Sequence, residues 1–591
     1  MKNHFYTLLL LCCFCVFGQA QNASTTKWWN PATNDFPVIE GQAWADEVGH
    51  PYDRLPARAE ALVRKPVWGL SRHAAGLMIR FRSNASQIVV RYGVGSRHAM
   101  PHMPATGVSG VDLYAIDSDG NWMWSRGRYE FGDTITYRFN NLEPNDRYHK
   151  EGREYRLYLP LYNSVEWMEI GVAEEVLFKP LPVRLEKPIV VYGTSIAQGA
   201  CASRPGMAWT GILGRKLDRP LINLAFSGNG RLEEELSDLL VEIDPKIFVI
   251  DCLPNLVNAK TYDEKELTKR ILSTIRKLKE KRPDVPILLT EHAGYTDGFI
   301  HPNRKEGYER VNRIQKAAFG QLKAEGLMGI HYLDRAQIGL QLDDMVDGTH
   351  PNDLGMMHYA EGYEKALRKV LKEPLGKAST SQVCTQYREP GNYDWEERHR
   401  AILEVNRTDP PKTVFLANSI IHFWGGLPRA PLVREEESWA SYLSPLGVRN
   451  YAYGWDRIEN VLWRVYHDEL DGFAAEKVLI MIGTNNLHLN TNEEVLEGLA
   501  LLVEAVKTRQ PSADLVLMGL LPRRDYEERI LTLNLSIAQL AAAANISYAD
   551  MGGIFLQKDG KIKEGMFSDG LHPNEMGYEQ LREVLLPIVK D

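Results

Sequence analysis

The chain has 591 residues, 44% of them apolar and 25% charged, with a formal net charge of −8. That length exceeds one ordinary domain and implies about three or four. The acidic balance contains no basic block, which argues against nucleic acid or an anionic membrane surface as a partner.

Met1 to Ala20 has a Lys2 n-region, an apolar run from Leu8 to Phe17, and Gly18-Gln19-Ala20 before a cleavage point. This pattern is a secretory signal peptide over residues 1–20, so a secreted or periplasmic protein is expected. A membrane anchor needs about 18 or more apolar residues, and this run is shorter, so no span is expected after signal removal. Cys12, Cys13 and Cys15 raise a lipoprotein reading, but no small residue precedes any of them as a lipid-attachment box requires. Without the leader, Cys201, Cys252 and Cys384 remain, an odd number and no disulfide framework. Cys201 and Cys252 follow or end strands, which leaves a pairing open beside the reading as two buried small side chains. No Cys/His spacing matches zinc, and neither a metal nor an organic cofactor is expected.

Trp28 to Ala45 reads as an extended lead-in. From Val67 to Ile170 the hydrophobic period is two, with strands at 77–82, 87–92, 110–116, 121–125, 154–159 and 165–170. Frequent short strands indicate an all-β sandwich, placed at residues 37–183. Trp122 and Trp124 share one face of a strand and are assigned to core packing rather than to stacking on a sugar. From Lys187 strands and helices alternate: strands at 188–192, 220–225, 246–250, 286–290 and 329–333, with a helix at Glu264–Lys281. Such alternation implies parallel strands with crossover helices, in a domain at 184–373. Residues 374–410 are polar, end in Asp409-Pro410-Pro411, and read as a linker. A second α/β domain follows at 411–591, with strands at 413–416, 448–453 and 477–482.

In open parallel sheets, ligands sit beyond the carboxyl ends of the strands. Those ends carry Ser419, Gly454 and Asn485 in the last domain, and Asp569-Gly570-Leu571-His572-Pro573 lies near the terminus. Acyl transfer needs a nucleophile, a base, a group that orients the base, and donors aimed at the oxyanion. Ser419, His572 and Asp569 fill the first three roles. The N–H groups of Ser419 and Gly454 and the amide of Asn485 supply donors.

These blocks resemble an SGNH (GDSL-type) hydrolase, and Gly454 to Asn486 with its internal NVLWRV is similar to the catalytic subunits of intracellular platelet-activating-factor acetylhydrolase. Ala417-Asn418-Ser419 departs from the family's Gly-Asp-Ser. The first α/β domain also resembles this superfamily, in a different branch. The resemblance places Ser195, Gly228, Asn255, Asp347 and His350 in the matching roles, with Pro254 standing where a Gly-x-Asn block is usual. The serine-to-histidine separation is 155 in the first copy and 153 in the second, the mark of an internal repeat. Ser109-Gly110-Val111-Asp112-Leu113-Tyr114 resembles the signature of a Gly-x-Asp-Leu-Tyr module that precedes SGNH domains in some bacterial proteins.

Gly228-Asn229-Gly230 completes no G-x-G-x-x-G, and Glu233-Glu234-Glu235 would repel phosphates, which excludes a dinucleotide loop. Gly193 to Ala197 completes no G-x-S-x-G elbow. The expectation is therefore two three-layer, flavodoxin-like SGNH domains with parallel sheets behind an all-β sandwich, acting as an exported esterase that removes O-acetyl groups from a poly- or oligosaccharide. The alternatives are a lipid or aryl-ester hydrolase, which no exposed apolar lid around either serine supports, and a carbohydrate-binding scaffold with one inactive SGNH domain.

Overall fold

The structure is a computed structural model that describes residues 25–143 and 152–590. The leader read at Met1–Ala20, its cleavage point and its cysteines lie outside these residues.

Between Thr26 and Pro180 the chain forms two antiparallel sheets. One runs in the order Thr26–Trp29, Val165–Ala173, Gln87–Val94, Ile135–Asn140, Arg128–Glu130. The other runs Phe178–Pro180, Met78–Ser83, Arg153–Tyr158, Asp112–Ile116, Trp122–Ser125, with Ile39–Glu40 added to Met78–Ser83. Alternation packs Ile88, Val90 and Tyr92 of one sheet against Ile79, Phe81, Leu113 and Leu157 of the other. Part of the lead-in is thus an edge strand, with Trp29 opposite Ile170. Val67, taken as the start of the two-residue period, sits instead in a helix, Lys65–Ser71. With Trp44, Leu55, Ala59 and Val63 it belongs to the core of the first α/β domain.

The first α/β sheet has the order Leu221–Ala225, Ile189–Gly193, Ile247–Asp251, Ile287–Thr290, Ile330–Leu333, all parallel. Val190 and Tyr192 face one helix layer, which includes Glu264–Lys281, and Ile189 and Val191 face the other, which includes Asp353–Leu371. This three-layer build explains the continuous apolar strands: both faces are covered. The second sheet repeats the order with Val448–Asn450, Thr413–Ala417, Lys477–Met481, Asp514–Met518 and Ser547–Ala549.

The stretch read as a linker carries a helix, Trp395–Thr408, and places Tyr393, Trp395 and Ile402 in the second domain's core. It shares one device with the segment around residue 54. Arg54 donates from Nη1 to the carbonyls of Asn223 and Ala225 at 2.8 and 2.9 Å. Arg398 donates from Nη2 to Asn450 and from Nε to Ala452 at 2.7 and 2.8 Å. Leu221–Ala225 and Val448–Asn450 are edge strands, and these buried guanidinium groups satisfy outward carbonyls that would otherwise lack partners. Burial pushes Arg54 down to about 9 and Arg398 down to about 10.

Ion pairs tie the units together. Arg80 of the sandwich meets Glu396 at 2.7 Å, and Arg219 and Lys246 of the first α/β domain meet Asp468 of the second at 3.0 and 2.6 Å. Cys201, Cys252 and Cys384 are free thiols, so the first two do not pair. Among the described residues no helix is long and apolar enough to cross a membrane.

Candidate active sites

Ser195 and Ser419 begin short helices directly after the second strand of each sheet, Ile189–Gly193 and Thr413–Ala417. That position presents each hydroxyl at the carboxyl edge of the sheet. In the first copy Ser195 Oγ lies 2.9 Å from His350 Nε2, and His350 Nδ1 lies 2.7 Å from Asp347 Oδ2. In the second copy Ser419 Oγ lies 2.9 Å from His572 Nε2, and His572 Nδ1 lies 2.7 Å from Asp569 Oδ2. The remaining oxygen of each Asp accepts two backbone N–H bonds from its own loop: Thr349 and His350 at 3.0 and 2.8 Å, and Leu571 and His572 at 3.0 and 2.8 Å.

These contacts set the charges. Burial pushes the Asp569 carboxyl up, but the backbone N–H and imidazole of His572 outweigh it and hold the group at about 2. Asp347 is also held below the usual range, its burial outweighed by the same bonds from His350. Burial moves His572 downward, helped by the nearby charges of Arg434 and Arg523 and opposed by Asp569. A neutral imidazole between an ionised carboxylate and a hydroxyl can take the hydroxyl's proton.

Asn223 and Asn450 bring the two oxyanion loops into register. Asn223 donates to Ala197 O at 2.7 Å and accepts from Ala225 N–H at 3.0 Å. Asn450 donates to Ile421 O at 2.7 Å and accepts from Ala452 N–H at 3.1 Å. Counted from these residues, Ser227 matches Gly454, and Gly228 matches Trp455. Gly228 and Trp455 both adopt left-handed φ, +67° and +59°. Ser227 N–H is taken by Gln198 Oε1 at 3.0 Å, and Gly454 N–H by His422 Nδ1 at 2.9 Å. Gln198 and His422 each stand three residues past their serine. The expected donor Gly454 is therefore already engaged, and the position that matches Gly228 is Trp455. Among the described residues no protein group accepts from the N–H of Ser195, Gly228, Ser419 or Trp455.

The amides differ in how they are held. The hydrogen-bond network turns the oxygen of Asn255 to the N–H groups of Asn229 and Gly230, both at 3.0 Å, so Pro254 does not displace it and Nδ2 remains for a ligand. Asn485 Nδ2 donates one hydrogen to Asp456 O at 3.0 Å and keeps the other.

Residues 186–368 and 418–580 each match a family model described as the GDSL-like lipase/acylhydrolase family, and residues 26–178 match one described as the N-terminus of SGNH-hydrolase-type esterases. A solved structure named for a GDSL-like lipase of Bacteroides ovatus is 30% identical with a TM-score of 0.54, covering 59% of this chain and 98% of that one. Human platelet-activating factor acetylhydrolase IB subunit alpha1 is 30% identical over 193 residues, 32% of this chain and 79% of that protein. The human alpha2 subunit is 29% identical over 210 residues, 34% and 87%. This chain belongs to the GDSL-like acylhydrolase family.

It is an ester hydrolase with two GDSL copies in tandem, and each copy borrows residues from the segment before it. In the first, Tyr162 of the sandwich donates to Ser195 O at 3.1 Å, and His102 stacks on His350 with centroids 5.9 Å apart. Cys201, Asp347 and His350 lie close enough to suggest a metal set. Each of the three already has a partner, however: Cys201 donates to His102 O, and His350 is bonded to Asp347 through Nδ1 and to Ser195 through Nε2. In the second copy Gln386 and Tyr393 donate to Gly454 O at 2.9 and 2.7 Å. None of these supporting residues stands in a block that the sequence reading used.

Proposed function

We propose that both copies are working serine esterase sites. Ser195 and Ser419 attack the ester carbonyl, His350 and His572 take the hydroxyl proton and return it to the leaving alcohol, and Asp347 and Asp569 hold the imidazole tautomer. The oxyanion meets Ser195 N–H, Gly228 N–H and the Asn255 amide in the first site, and Ser419 N–H, Trp455 N–H and the Asn485 amide in the second. The observation that carries this reading is the same serine–histidine–aspartate relay at the same distances in both copies.

The substrate we infer is an O-acetylated glycan, acted on outside the cytoplasm. The leader pattern supports export, the acetylhydrolase names of the relatives support a small acyl group, and a β-sandwich packed on the first copy supports a polymer. The test is acetate release from O-acetylated polysaccharides by the mature chain, against the chain carrying both Ser195→Ala and Ser419→Ala. Release by the former alone is expected; equal, background release from every glycan would refute it.

One observation favours a second reading at the first site. Phe299, Ile300, Leu342, Val346 and Leu354 are exposed near the Asp347–His350 loop, to which Arg304 ties the 297–304 segment through Gly348 O at 2.9 Å. An apolar rim of this kind suits a longer acyl or aryl ester. A preference of the Ser419→Ala chain for butyrate or longer esters over acetate would support it.

A further inference from the structure

The Gly-x-Asp-Leu-Tyr motif has no part in either relay, yet it organises a second concave surface. Asp112 is buried, accepts from Trp124 Nε1 at 2.6 Å and from Gly206 N–H at 3.0 Å, and pairs with Arg204 of the first α/β domain. Tyr114 lies directly across the strand pair from Trp124 and accepts from Arg204 at 2.7 Å. The Arg204 guanidinium sits 4.6 Å from the centroid of the Trp124 ring. Trp124 is thus fixed at its nitrogen and against one cation, yet it is 48% exposed, which overturns its assignment to the core. Trp122, its neighbour on the same strand face, is packed under Arg156 at 4.4 Å.

Trp124 opens into a groove of about 610 Å³ between the sandwich and the 203–204 loop, with the exposed Tyr129 and with Arg126 and Arg128 on its wall. A cavity of this size takes a small organic ligand. An indole held in place loses little conformational entropy when a flat apolar surface stacks on it. The one acidic side chain of the lining, Asp112, is paired, so the groove is locally cationic on a chain of net charge −8. Its near end also lies close to the first relay. Thr106 lines it, and four residues upstream His102 stacks on His350, a chain length of at most about 14 Å.

We propose that this groove binds the carbohydrate chain of the substrate beside the first site, with Trp124 as stacking platform and Arg126 and Arg128 favouring an acidic sugar. This rests on the glycan reading above. The test uses the full chain carrying Ser195→Ala and Ser419→Ala, so that bound ester is not consumed, with acetylated oligogalacturonides and acetylated xylo-oligosaccharides as probes in a calorimeter. The acidic probe is expected to bind about tenfold more tightly. Trp124→Ala should weaken it tenfold or more, and Trp124→Phe, which keeps a ring, by less. Arg126→Ala with Arg128→Ala, both exposed, should erase the preference for the acidic probe. Thermal melting checks that each variant is folded. Affinities unchanged by Trp124→Ala and by the arginine pair, or no binding to a glycan that the intact enzyme deacetylates, overturn the groove. An intact enzyme that releases acetate from neither probe overturns the glycan reading itself.

Discussion

The two sites carry the same relay on the same strand order, and they differ in the loop that carries the proposed middle oxyanion donor. In the first copy that residue is Gly228, whose left-handed backbone meets open space where a Cβ would stand. In the second it is Trp455, which holds the same conformation with a large side chain, an arrangement that costs about 1–3 kcal/mol unless its surroundings enforce it. The surroundings are present. Asp456 is buried beside Trp455, paired with Arg464 at 2.9 Å and bonded by Trp395 and Gln386. Gln386 and Trp395 come from the segment between the copies, as Arg54, which binds Asn223 and Ala225 of the counterpart loop, comes from before the first copy. Each GDSL copy in this chain is thus packed against what precedes it, and the proposed donors share a backbone position rather than a glycine.

Four experiments test how far the two copies match. The largest effect belongs to the relay. In chains whose other serine is alanine, Asp347→Asn and Asp569→Asn should each lower kcat by about 10⁴. Steady-state hydrolysis of an aryl acetate measures it, and a loss in one copy without a matching loss in the other would show that the relays are not equivalent. Next, Asn255→Ala and Asn485→Ala should each cost about 10²–10³ in kcat. The bonds from Asn229 and Gly230 make the Asn255 amide as well placed as its partner, so a negligible loss there would contradict the placement. Smaller still, Trp455→Gly should leave the second site within about tenfold of its parent, because the donor is the backbone N–H and the φ is one glycine accepts readily. A loss as large as that of Asn485→Ala would mean that the indole itself acts in the reaction. The smallest is a shift in pH dependence. Burial lowers His572, and the base works only when neutral, so kcat/KM of the Ser195→Ala chain should fall on acidification only below 6.5, the ordinary histidine value. An acid limb at or above that value would contradict the burial.

The first α/β sheet was legible because its strands are apolar on both faces, and Glu264–Lys281 because Leu267, Ile271, Ile275 and Leu278 keep helical spacing. The helix Trp395–Thr408 was not, because Arg398, His399 and Asn406 take buried positions and break the apolar period. His399 is raised to about 9, burial being outweighed by Glu186 and Glu469, and a buried cation of this kind has no hydropathy signature. Ser547–Ala549 was missed as a short, partly exposed edge strand. Of the sites, both relays stood in the spacing of Ser, Asp and His. The position that matches Gly228 did not, since a search for glycine stops at Gly454, whose N–H is taken by His422. Setting Asn223-Leu-Ala-Phe-Ser-Gly228 against Asn450-Tyr-Ala-Tyr-Gly-Trp455 would have shown the offset.

In the proposed function the chain holds two independent nucleophiles. A fluorophosphonate reacts with a serine only where a relay and donors activate it. Intact-mass spectrometry of the fully labelled chain should therefore show two adducts, falling to one in Ser195→Ala, one in Ser419→Ala and none in the double variant. A single adduct on the unmutated chain, lost completely with one of the two serines, would contradict it.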